Sequence, residues 1–265
     1  MLPYEPNSLN PSMNLSSILK INKITILDVE ISNVTNEEAL NSILRSIKSA
    51  HKAMMFFVNA YNLTQAYYNN HYRNILKQTE YIYGDGIGVR IAAALTKQKI
   101  KENINGTDLF PYLCELCETE KYSIYFLGGK SGIVEQMIQN LKEKYPSLLI
   151  SGAHNGYFDH KSGSEHIIRD INNSTSNILL VAFGTPLQEE WIYDNFPSIN
   201  CNVAIGVGGL FDFYSGSKIR APLLIRRIGL EWFFRLIQEP RRLWKRYIIG
   251  IPQFIFIVLK QKFSK

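Results

Sequence analysis

"NILLVAFGTPLQEEW", residues 177–191, runs from a continuous apolar segment through a Gly-Thr-Pro turn into a polar, helix-forming one. A strand apolar at every residue, rather than at every second one, is covered on both faces, as in a parallel sheet lying between two layers of helix. The same alternation recurs along the chain. "ITILDVEI" (24–31), "AMMFFVN" (53–59), "YIYG" (81–84), "YSIYFLG" (122–128), "LLISG" (148–152) and "CNVAIGVG" (201–208) read as further strands. Helices are expected between them, among others at 36–49, 60–70, 86–97, 131–144 and 187–195. Strands alternating with helices through short glycine turns predict an α/β fold with a mostly parallel sheet covered on both faces. In such folds ligands bind at the carboxyl ends of the strands. Asn59, Asp85, Gly128, Gly129, the run Gly184 to Pro186 and the run Gly206 to Asp212 all fall there.

The chain has 265 residues, 46% apolar and 20% charged, which suits one large domain or a domain with an appendage and excludes a disordered chain. Of three cysteines, Cys114 and Cys117 in "LCELCETE" lack the second ligand pair that zinc requires, and Cys201 stands alone. They read as packed thiols of a protein in a reducing compartment. Residues 1–22 read as a loose leader, because Pro and Asn interrupt any secretory core, and a cytoplasmic location is expected. The core is assigned to 23–219. From 220 to 265 helical periodicity takes over, with Pro240 as a break and many of the cations behind the net charge of +6. Its last apolar run, "IIGIPQFIFIVL" (248–259), falls short of the ~20 residues of a bilayer span. A basic, aromatic, amphipathic appendage lying on a membrane surface is the expectation. Trp and Phe beside the cations suit lipid better than nucleic acid.

"YGDGIGVR" (83–90) sets a carboxylate among glycines at a strand end. Its G-x-G-x-G spacing departs from the G-x-G-x-x-G of dinucleotide sites, which weakens the rival reading of a nucleotide-dependent oxidoreductase. Asp85 is either a helix N-cap or a catalytic carboxylate projecting into the cleft. "FLGGKSG" (126–132) and "FGTPLQEEW" (183–191) lack the phosphate-loop form, yet they place free N–H groups and positive helix ends where a phosphorylated ligand could sit. Gln188 is either a ligand contact or a solvated surface residue. No D-x-D, H-E-x-x-H or G-x-S-x-G occurs, so no metal or cofactor is expected and phosphate charge falls to dipoles and arginines. Arg235, Arg242 and Arg246, seven and four residues apart, share one side of an uninterrupted helix. The alternative for the tail cations is a solvated or lipid-facing surface, and from the tail alone a non-catalytic membrane or nucleic-acid binder. A shared apolar surface leaves a homo-oligomer open.

"GVGGLFDFYSGSKIRAPLLIRRIGLEWFFRLIQEPRRLWKRY" (206–247), with "GDGIGV" (84–89), "NGTDLF" (105–110), "FLGG" (126–129), "GYF" (156–158) and "GTPLQEEW" (184–191), resembles the WecG/TagA/CpsF glycosyltransferases, glycosyltransferase family twenty-six. The resemblance implies a Rossmann-like, inverting, metal-independent enzyme at the cytoplasmic membrane face. It would move a sugar of the N-acetylmannosamine or glucose type from a UDP-sugar to a polyprenyl-diphosphate-linked sugar for teichoic acid or exopolysaccharide. It further implies Asp85 as general base and Asn59 in the sugar pocket. Gly86, Gly128, Gly129, Gly184, Thr185, Gln188 and Asp212 would stand beside donor or acceptor, with Arg235, Arg242 and Lys245 as contacts for the diphosphate. Phe57 stands where the family usually carries the hydroxyl of Thr-x-Asn, Asn103 where an arginine commonly precedes "GTDL", and Lys245 where some members carry a third arginine.

Overall fold

Among the residues described by the computed structural model, 21–160 and 162–264, the strands are β1 (Lys23–Ile26), β2 (Val29–Ser32), β3 (Ala53–Val58), β4 (Tyr81–Gly84), β5 (Ser123–Gly128), β6 (Leu149–His154), β7 (Ile178–Ala182) and β8 (Val203–Gly206). The expected leader lies, but for its last two residues, outside this range. β3 to β8 form one six-stranded sheet in the order β4-β3-β8-β7-β5-β6, with every pair parallel. The unbroken apolar runs follow from that placement. In β7, Leu179 and Val181 enter one apolar layer while Ile178 and Leu180 enter the other, and Tyr125 and Leu127 of β5 are split from Ile124 and Phe126 in the same way.

On the first face lie helices α2 (Ala60–Tyr68), α3 (Asn70–Lys77), α4 (Ile87–Leu95), α7 (Ser164–Asn173) and α8 (Leu187–Asn195). The second face is covered by α1 (Asn36–Lys48), α5 (Gly106–Glu120), α6 (Ile133–Lys144) and α9 (Leu210–Tyr214). Cys114 and Cys117 lie fully buried on α5.

Two expectations are corrected. Residues 24–31, read as one strand, form the antiparallel hairpin β1–β2, a sheet of its own. Leu27 and Asp28 turn it with φ of +50° and +63°, and because both flanks are apolar and β-branched the turn leaves no break in the pattern. The helix expected over 60–70 ends at Tyr68, where the Asn69 side chain accepts from the Tyr72 N–H (3.1 Å) and starts α3.

Past α9 the chain is helical: α10 (Leu223–Arg227), α11 (Glu231–Gln238), α12 (Pro240–Trp244), a π-helical turn (Lys245–Ile249) and α13 (Gly250–Ser264). The run at 248–259, expected to lie on a surface, instead has one side in the core. Phe254, Ile257 and Val258 are buried, and α13 packs on α2 and α4, while Phe256 and Phe263 stay exposed. Among the described residues no helix is long and apolar enough to cross a membrane. Phe254→Ala should cost about 3–5 kcal/mol, measured by denaturant unfolding, because it empties a fully buried aromatic site between helices.

Candidate functional site

A cleft of about 1540 Å³ runs over the carboxyl ends of β3, β4, β5, β7 and β8, and α11, α12 and the π-helical turn wall its other side. Because every strand of the sheet is parallel, all the loops that leave carboxyl ends open onto this one edge.

Asp85 sits on its floor. The Asp85 N–H donates to Val58 O of the adjacent strand (2.8 Å), continuing the β3–β4 pairing by one residue. Gly86 follows with φ +89°, a conformation a side chain would strain, and it is the N-cap of α4 without any side-chain cap bond. The Asp85 carboxylate is therefore not the helix cap, and it faces the cleft half-buried. Asn103 accepts from the Gly86 N–H and holds the turn. Burial above all, with the negative charge of Glu231 adding to it, pushes the Asp85 carboxyl up to about 7, while Arg235 and Arg246 pull the other way.

Gln188 is 3% exposed, so it is not the solvated residue of the alternative reading. Its Oε1 accepts from the N–H groups of Gly208 (2.9 Å) and Gly184 (3.3 Å), joining the loops after β8 and β7. Asn59 caps α2, accepting from the N–H of Tyr61 at 3.0 Å. Its Oδ1 also receives Arg246 Nη2 at 3.3 Å.

Arg235, Arg242 and Arg246, expected on one side from their spacing, all line the cleft. Arg235 lies over the Phe213 ring at 5.5 Å and Arg246 over the Tyr61 ring at 4.6 Å, both lining the cleft. Lys245 is exposed and outside the lining, beside Trp244. Residues 245–249 form a π turn, with Arg246 lining the cleft and Lys245 outside it. Arg246 makes no ion pair among the described residues, its Nε is buried without a partner, and burial lowers its pKa. Arg242 lines the rim but pairs with Glu239, and Lys218 bridges Glu239 (3.0 Å) and Asp212 (2.7 Å).

Of the residues picked from sequence, Asp85, Asn59, Gly86, Gly129, Gly184, Thr185, Gln188, Asp212, Arg235 and Arg242 line this cleft. Gly128 lies beneath it, where a Cβ would meet Ala182 O at 2.6 Å, and Lys245 lies outside. Sequence reasoning passed over Asn62, Glu189 and Glu231. The first two occupy early turns of the helices after β3 and β7, and the Asn-x-x-Asn spacing at 59–62 is a capping-box signal that marks Asn62.

The raised carboxyl of Asp85 has a consequence for stability. Its pKa is higher folded than in the unfolded chain (3.8), so its charge destabilises the fold increasingly from pH ~4 to ~7 and fully above that. Asp85→Asn should melt at a higher temperature than the parent at pH 8, with the difference vanishing below pH 4, read by thermal denaturation across pH.

The profile described as the glycosyl transferase WecG/TagA/CpsF family matches residues 24–265. An N-acetylglucosaminyldiphosphoundecaprenol N-acetyl-beta-D-mannosaminyltransferase of Bacillus subtilis (strain 168) is 33% identical over 194 residues, 73% of this chain and 74% of that one. The protein of the same description from Staphylococcus aureus (strain MW2) is 28% identical over 244 residues, 91% and 93% of the two chains. With a match across nearly all of the described residues, and the cleft built from the segments that carry the resemblance, the chain belongs to the WecG/TagA/CpsF family of glycosyl transferases.

Proposed function

We propose that the protein transfers a hexosyl group of the N-acetylmannosamine type from a UDP-sugar to an undecaprenyl-diphosphate-linked N-acetylglucosamine, with inversion, in the synthesis of a cell-surface polymer. The relatives' names supply the acceptor and the sugar class. The observation that carries the chemistry is the place of Asp85, on the floor of a cleft whose other side carries Arg235, Arg242 and Arg246, with burial pushing its carboxyl up to about 7.

The acceptor hydroxyl oxygen attacks the anomeric carbon as the bond from that carbon to the UDP oxygen breaks. Asp85 takes the hydroxyl proton, help worth roughly 10²- to 10⁴-fold. The departing diphosphate carries off the bonding electrons and needs positive charge beside it. Arg246, with no carboxylate partner, and Arg235 offer guanidinium groups in a bidentate-capable geometry, and the helix starts at the strand ends add N–H groups. Arg242 is held only by an exposed ion pair, a contact weak enough for a phosphate to replace.

The outer side of the appendage supports docking on the inner face of the cell membrane, where a polyprenyl acceptor resides. Leu224, Ile228, Ile237 and Ile248 are 73%, 60%, 64% and 59% exposed on its helices. Interleaved Arg and Lys would face anionic headgroups. Docking in this pose sets the arginine wall next to the lipid surface.

The deciding experiment is UDP release by the purified protein with a lipid-diphosphate-GlcNAc acceptor and a panel of UDP-sugars, with and without EDTA. Acceptor-dependent, EDTA-insensitive release from UDP-N-acetylmannosamine is expected, and it should fall at least 100-fold in Asp85→Asn. Near-normal transfer by that variant would refute the base assignment. Arg246→Ala should lower kcat/KM by roughly tenfold or more, as expected for a lost charge-assisted contact. Lys245→Ala should stay within about threefold, as for an exposed charge; the reverse ranking would refute the role given to Arg246.

A further inference from the structure

Glu189 is a fully buried acid just behind the cleft and outside its lining. Its Oε1 accepts from Thr185 Oγ1 (3.0 Å) and Gln188 Nε2 (3.1 Å), with Asn62 Nδ2 at 3.5 Å, and its Oε2 has no hydrogen-bond partner. Among the described residues it makes no ion pair, and the like charge of Glu190 adds to the cost of ionising it. Asn62, 1% exposed, also donates to Thr185 Oγ1 (2.9 Å) and to the Tyr72 hydroxyl (3.0 Å). A site that needed only volume would carry an apolar side chain, since burying a carboxyl is costly.

The cluster around Oε1 joins different strand ends: Asn62, whose two amide hydrogens go to Thr185 and Tyr72, reaches the carboxylate through the Thr185 hydroxyl. Asn62 follows β3, Thr185 and Gln188 follow β7, and Gln188 in turn holds the Gly208 N–H after β8. These three strands are neighbours in the sheet. A side-chain amide has two unlike ends, and Oε1 of Gln188 can receive two backbone N–H groups only while its NH₂ end has an acceptor elsewhere. Glu189 is that acceptor. With the amide reversed, NH₂ would face two N–H donors. Thr185 is directed in the same way: its one hydroxyl hydrogen goes to Glu189, so it offers a lone pair toward Asn62 and the cleft.

We propose that Glu189 is a positioning residue for the transfer reaction, its buried Oε1 setting the sense of the Gln188 amide and the Thr185 hydroxyl and tying the ends of β3, β7 and β8 into one wall. This rests on the transferase reading above. Burial pushes the carboxyl up to about 7, and a proton taken up goes to the unpartnered Oε2, leaving Oε1 an acceptor in both forms. Glutamine, with its oxygen at Oε1, reproduces the protonated form.

The test compares Glu189→Met and Glu189→Gln in the full chain. Two quantities are read: steady-state UDP release with the lipid-diphosphate-GlcNAc acceptor, and NMR amide hydrogen exchange at Gly184 and Gly208. Glu189→Met should lower kcat about tenfold or more with acceptor KM changed less than about threefold. It should also speed exchange at those two amides at least about tenfold while the other sheet amides keep theirs. Glu189→Gln should stay within about threefold of the parent on both. Wild-type kcat and exchange in Glu189→Met would overturn the proposal, as would a Glu189→Gln variant as impaired as Glu189→Met. Should Glu189→Met not fold, Gln188→Met supplies the exchange rate of a lost clamp, and Glu189→Gln matching that rate would overturn it. If the parent itself shows no turnover, the transferase reading fails, while exchange at Gly184 and Gly208 still decides whether Glu189 holds the wall.

Discussion

A sheet whose two faces are both sealed by helices leaves polar groups one place to gather, the edge where the strands end. With all six strands parallel, that edge collects six carboxyl termini side by side. Asn59 and Asp85, each the first residue beyond a strand, and Gln188, in the first turn of the helix that follows one, are polar for this reason. The glycines between them let the backbone turn back into a helix without a Cβ filling the cleft. What the molecule can do is thus set by how those ends are fastened to each other, and by what the appendage brings over them.

The fastening and the charge work against each other. A wall held by buried amides and a buried acid is rigid, and it is also dry, so that charge placed beside it is poorly solvated. Asp85 and Arg246 both carry the mark of that: the acid is driven toward its neutral form, and the guanidinium is less basic than one in water. Such groups are costly to a resting fold, and it is at functional sites that folds carry them. The charges are unequally committed. Asp212, Lys218, Glu239 and Arg242 satisfy each other on the rim, whereas Arg246, with no ion pair among the described residues, lies against the Tyr61 and Tyr247 rings and the Asn59 amide oxygen.

Much of this was legible in the chain itself. Unbroken apolar runs ending in glycine announce the buried parallel strands, and a carboxylate wedged between glycines at such an end announces Asp85. The hairpin at Leu27 and Asp28 was hidden because the apolar alternation runs straight through it. Glu189 and Asn62 were hidden for a different reason: a polar residue in a helix's first turn is usually solvated, and these two are buried, both bonded to the Thr185 hydroxyl. Counting turns from Arg242 reaches Arg246, which lines the cleft, whereas Lys245, taken up by resemblance, stays outside it. The side of the last helix that enters the core was likewise masked by the aromatic residues on its other side.

The contact between Arg246 and Asn59 spans 187 residues of sequence, so it closes a loop containing nearly the whole sheet. Local helices and neighbouring strands can form before it, but the contact itself exists only once everything between has taken its place. A chain that has collapsed around part of its sheet holds a carboxylate with no facing wall and an arginine with nothing to face. Turnover therefore reports on the completeness of folding more stringently than helix content does, and half-assembled molecules are silent rather than slow.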